Sequence, residues 1–152
     1  MGDGGTMSGD DADNLIRVTV RIARDWTETL WARQIGPDTA RIDCIPRYAP
    51  DVTLGSLVKL DGERNVLYVL EHTGRNAYGE YAVGPTENLE ELYGTIRDYL
   101  AEHDIPAVGY APGKVAMSVP DDISPGQLDE LLAKCPVRVK VVRDFGRRVR
   151  PR

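Results

Sequence analysis

The sequence predicts a mixed α+β protein: a small curled β-sheet or barrel-like meander, followed by a β-α-β-β-α-β sandwich of ferredoxin-like order. Three observations carry this prediction. Short runs before residue 71 alternate apolar with polar side chains. The spacing then changes to three- and four-residue steps in two places, from Leu89 to Leu100 and from Leu128 to Cys135. Alternating valines return from Val137 to Val141. A period of two marks a half-buried strand and a period near 3.6 an amphipathic helix.

The first strand is expected over Leu15 to Ala23, where Ile16, Val18, Val20 and Ile22 alternate with Arg17, Thr19 and Arg21. Glu28 to Gln34 fits a strand or a short helix, and the two-residue period favours the strand. Gly36-Pro37-Asp38 turns the chain, and Ala40 to Ile45 reads as the next strand. Pro46 to Asp51 holds two prolines, which fix φ and lack donors, so it is an irregular loop carrying Arg47 and Tyr48. Leu57 to Leu60 and Val66 to Leu70 are strands joined at Asp61-Gly62.

Residues 71–80 are polar and glycine-bearing and read as a connection, with a short strand at Tyr81 to Val83. A helix is expected from about Asn88 to His103, opened by a capping box of Asn88 and Glu91. Ile105 to Tyr110 and Lys114 to Val119 form a hairpin around Ala111-Pro112-Gly113. Ser124-Pro125-Gly126-Gln127 is the clearest local signal: a serine cap, a proline at the first helical position and a glutamine closing the box. Pro136 stops that helix and Val137 to Val141 is the last strand. The expected organisation is a leader over 1–13, a β-rich half over 14–78, a ferredoxin-like half over 79–145 and a basic tail over 146–152.

With 152 residues, 41% of them hydrophobic and 28% charged, the composition is that of an ordinary globular protein. No apolar run approaches the roughly 20 residues needed to cross a bilayer, so no membrane association is expected. The opening MGDGGTMSGDDAD lacks a basic start and an apolar core, and reads as a disordered acidic leader rather than a signal peptide. The expected location is cytoplasmic. The net charge of −5 is uneven, because the segment 137–152 holds seven basic residues against Asp144 alone. Such a terminus either solubilises the chain or grips a polyanion.

The segment ETLWARQIGPDTARIDCIPRYAPDVTLGSLVKLD, followed by LYVLEHTG, resembles the bacterial family named domain of unknown function 4265. The resemblance rests on Glu28, Leu30, Trp31 and Ala32 as a Glu-x-Leu-Trp-Ala motif, on Ile45-Pro46, and on Gly55-Ser56-Leu57-Val58. It departs at Ser56, where that family carries an acid, and at Thr73-Gly74-Arg75-Asn76-Ala77. It covers about residues 15–145 and implies no activity. At the level of fold alone, the second half is similar to small ferredoxin-like inhibitors of a bacterial ribonuclease.

No cofactor or metal is expected. The chain offers two histidines and two isolated cysteines, without the ligand spacing of a zinc site. Cys44 and Cys135 are expected as buried, inert thiols rather than a disulfide. No phosphate-cradling glycine motif occurs. His72 stands beside Glu71, but neighbouring strand residues face opposite sides, so Glu71 does not orient it. Trp31 is read as a core tryptophan or, if exposed, as an interface anchor.

The leading functional expectation is a non-catalytic, inhibitor- or immunity-like regulatory protein that binds another protein or peptide through Trp31, Arg47, Tyr48, His72, Arg75 and Tyr78. Tryptophan, tyrosine and arginine dominate interface hot spots, and a proline-stiffened loop loses little entropy on binding. One alternative is a nucleic-acid binder using Arg147, Arg148, Arg150 and Arg152. Another is a small enzyme or small-molecule binder with a cleft near His72, Arg75 and Tyr78.

Overall fold

In a computed structural model, residues 14–147 are described, except for the side chain of Arg147. The expected acidic leader and Arg148, Arg150 and Arg152 lie outside the described residues. The chain divides between Thr73 and Gly74 into two units, each with its own core.

The N-terminal unit is an antiparallel meander of β1 (Leu15–Ala23), β2 (Trp26–Gly36), β3 (Thr39–Ile42), β4 (Leu57–Leu60) and β5 (Val66–Glu71), in that spatial order. β2 is a strand, the alternative its two-residue period favoured, and is longer than expected at both ends. Register keeps the apolar rows together: Val18 faces Leu30, Ile16 faces Ala32, Ala32 faces Ile42 and Ala40 faces Val58. A one-residue slip would turn every one of these side chains outward.

The sheet curls into a half-barrel. Its first strand approaches the segment before β5, where the Thr19 amide donates to the Arg64 carbonyl at 3.0 Å. Asp61 shapes that approach. Its carboxylate accepts the amides of Glu63 (2.8 Å) and Asn65 (2.9 Å), which holds Arg64 at φ 64°. Ala49 and Val52, from the segment between β3 and β4, complete the core.

The C-terminal unit runs β6 (Arg75–Glu80), α1 (Leu89–Ala101), β7 (Ala107–Ala111), β8 (Lys114–Val119), α2 (Pro125–Ala133) and β9 (Lys140–Asp144), ending in a 3-10 turn at Phe145–Arg147. Its four strands are antiparallel in the order β7-β8-β6-β9. Ile96 and Leu100 of α1 and Leu128 and Leu132 of α2 share one core with Ala77, Val115, Met117 and Val119.

Strand assignments are corrected in several places. The strand expected over Ala40 to Ile45 spans Thr39–Ile42, and the one expected over Ile105 to Tyr110 spans Ala107–Ala111. The strand expected at Tyr81 to Val83 lies instead at Arg75–Glu80, within the segment read as a connection. β6 is a central strand buried from Asn76 to Gly79, so it shows no apolar–polar alternation. Gly79 belongs there because a Cβ would lie 2.6 Å from Cγ1 of Val139. The last strand begins at Lys140 rather than Val137, since pairing with β6 starts where Lys140 meets Glu80.

The helix boundaries follow from their caps. Ser124 and Gln127 form the reciprocal box, with Gln127 N to Ser124 Oγ at 3.1 Å and Ser124 N to Gln127 Oε1 at 2.7 Å. Asn88 caps α1 by accepting from Glu90 N (2.9 Å) and Glu91 N (3.2 Å). Among the described residues, Glu91 makes no return bond, so this cap is one-sided.

Candidate functional site

The most organised exposed feature of the N-terminal unit is built on Glu28. On β2, Glu28 falls on the same parity as the buried Leu30 and Ala32, which places a carboxylate on the core-facing row. It is held there by the loop after β3. Oε2 accepts the Arg47 amide at 2.8 Å, and Oε1 accepts the amides of Tyr48 (3.0 Å) and Ala49 (2.9 Å). Three consecutive backbone N–H groups thus converge on one anion, a charge-assisted arrangement stronger than neutral pairs. Pro46 and Ala49 are buried, pinning the loop on both sides of the two residues it displays.

Those residues are Arg47 and Tyr48. Tyr48 is 46% exposed, and its ring packs against Trp26, also exposed, at 5.2 Å between centroids. The guanidinium of Arg47 pairs with no carboxylate among the described residues. Aromatic surface and a free cation therefore sit together on a loop whose backbone is already ordered. Trp26 and Glu28 were not among the residues expected to matter. The available signal was a carboxylate on the inward parity of a strand, which needs a local partner to be tolerated.

Trp31 is not a core residue. It is 43% exposed, on the face of β2 opposite Leu30 and Ala32. Arg17, its cross-strand partner on β1, places its guanidinium carbon 4.7 Å from the indole centroid. Alternation already put Trp31 out of phase with the buried row; its size was the misleading cue. Trp31 and the Tyr48 loop are thus separate features of this unit.

His72 is exposed, just after β5. Arg75 and Tyr78 stand on β6 in the C-terminal unit. Arg75 is engaged internally: Nε lies 2.6 Å from Oδ1 of Asp144, Nη2 3.2 Å from Oδ2, and Nη1 2.5 Å from the Ile123 carbonyl. Tyr78 is buried, with edge contacts to Tyr110 (6.3 Å) and Phe145 (6.0 Å).

Cys44 and Cys135 are free thiols, and burial pushes both above the ordinary thiol range. The thiolate is the reactive form, so a raised value leaves less of it at a given pH and moves reactivity to more alkaline solution. Alkylation at pH 8 should therefore run more slowly than for a small free thiol, and equalise in denaturant. Equal rates in the folded protein would contradict this. Among the described residues, no three His, Cys, Asp or Glu side chains are grouped to hold a metal, and no helix is long and apolar enough to cross a membrane.

Residues 28–138 match the family described as "Domain of unknown function (DUF4265)". A similar solved structure is described as "Novel crystal structure of a hypothetical protein from Neisseria gonorrhoeae". It is 18% identical, with a TM-score of 0.55, over 77% of this chain and 83% of that one. At that identity the likeness concerns fold alone. No curated protein matches the chain.

Proposed function

This chain belongs to the domain of unknown function 4265 family, and on that footing we propose that it is a non-catalytic interaction protein that binds a protein partner through the Trp26–Arg47–Tyr48 patch. The observation that carries this reading is the convergence of three loop amides on Glu28, which orders Arg47 and Tyr48 before any partner arrives. Preordering lowers the entropy lost on association, and tyrosine, tryptophan and arginine are the side chains that anchor interfaces. The patch suits a surface that offers a carboxylate beside an apolar side chain. An inhibitor- or immunity-like regulatory role is consistent with this mode of action.

Two finer readings accompany it. The strand order β7-β8-β6-β9, with one helix in each crossover, supports a ferredoxin-like assignment for the C-terminal unit. The two free cysteines support a reducing, cytoplasmic setting.

Site-specific photocrosslinking in the native host tests the proposal. A benzoylphenylalanine at Tyr48 should yield one discrete protein adduct, and the same probe at the exposed Glu63 should not. Arg47→Glu should reduce that adduct several-fold without changing the fold. No adduct at Tyr48, or the same adducts at both positions, would overturn the reading.

A further inference from the structure

We propose that the free edge of β9, in the C-terminal unit, takes up an extended acidic peptide as an additional strand. β9 has β6 on one side, and no strand among the described residues pairs with its other edge. Every other backbone group of such an edge points outward as an unused donor or acceptor. Beside it runs a groove of about 700 Å³ whose far wall is α2, including Leu132. Every residue from Arg138 to Asp144 lines this groove. Successive side chains of a strand face opposite ways, so only an opening along the strand's edge meets them all.

The charge of the lining selects the occupant. Arg138, Lys140 and Arg143 are exposed there against one exposed carboxylate, Asp129 on the α2 wall, while the carboxylate of Asp144 is buried against Arg75, so cations predominate along the strand. These cations repel a second copy of the same edge, which is how natural edge strands avoid self-pairing, and they attract an acidic strand. Val142, 45% exposed, adds apolar surface for alternate side chains of the incoming peptide. Among the described residues, no aromatic side chain lines the groove, so a single-stranded nucleic acid would find no platform for its bases there. Strand addition of this kind draws affinity from backbone bonds and specificity from alternate side chains. It uses none of the residues of the Trp26–Tyr48 patch and stands or falls apart from it.

The test uses the full-length protein and a fluorescein-labelled heptapeptide of alternating glutamate and valine, read by fluorescence anisotropy and by amide chemical shifts. Saturable binding with shifts confined to residues 138–144 is expected. A proline at the centre of the peptide should weaken it about tenfold, because it removes a ladder donor. The double variant Arg138→Glu/Lys140→Glu should weaken it by at least about tenfold, more so at low salt. The proline control alters only the probe, so a folding defect in the variant leaves the proposal testable. Absence of binding, indifference to the proline, or preferential binding of a short oligothymidine with the same charge dependence would overturn it.

Discussion

Replacing Asp144 by alanine is expected to destabilise the C-terminal unit by about 3–5 kcal/mol, the usual cost of stranding one partner of a buried ion pair. The Asp144 side chain is fully buried and that of Arg75 only 13% exposed. The carboxylate receives Nε and Nη2 of Arg75 and also the Gly146 amide at 2.8 Å. Alanine would leave a guanidinium with only the Ile123 carbonyl as counterpart. Both tryptophans lie in the other unit, so hydrogen exchange at the amides of Ala77 and Met117 is the appropriate readout. The double variant Arg75→Met/Asp144→Leu should recover most of the loss, because two apolar side chains carry no stranded charge. If the single variant exchanged no faster than the parent, the pair would have no structural weight.

Glu28→Ala is expected to cost the N-terminal unit about 2–4 kcal/mol, since it removes the acceptor of three amides at once. Part of the loop faces water, which re-satisfies some of those donors and keeps the effect below that at Asp144. Glu28→Gln should fall between, at about 1 kcal/mol. The glutamine carbonyl can replace Oε1, which serves Tyr48 and Ala49. Its NH2 group then meets the Arg47 amide, donor against donor. Urea unfolding followed by tryptophan fluorescence checks both values, because Trp26 and Trp31 report on this unit alone. A near-ultraviolet circular dichroism change in Glu28→Ala would register release of Tyr48 from Trp26. Identical unfolding midpoints for the alanine, glutamine and parent proteins would rule out the anchoring role.

The outward position of Trp31 was legible, because its parity opposes that of Leu30 and Ala32; the general tendency of tryptophan to be buried pointed the other way. The display of Arg47 and Tyr48 on a stiff loop was legible from Pro46 and Pro50. The anchor itself was not, because Glu28 lies 19 residues before the first amide it holds. Arg75 and Tyr78 looked like surface residues only while their segment looked like a loop. Once that segment is a central strand, one becomes an internal clamp and the other an internal ring.

Where a segment has one wet face and one dry face, the chain spells out its own conformation. β1, both helices and the Ser124 cap follow from local spacing and local hydrogen-bonding chemistry alone. Where both faces are dry, or where a polar group is satisfied from afar, no local pattern remains to be read. Arg75 and Asp144 stand 69 residues apart, and only folding brings them within bonding distance. The placement of β6 at the centre of its sheet, the clamp it carries and the loop seated on Glu28 were therefore decided by the tertiary structure, because burial on all sides erases periodicity and long-range partners leave no trace in neighbouring residues.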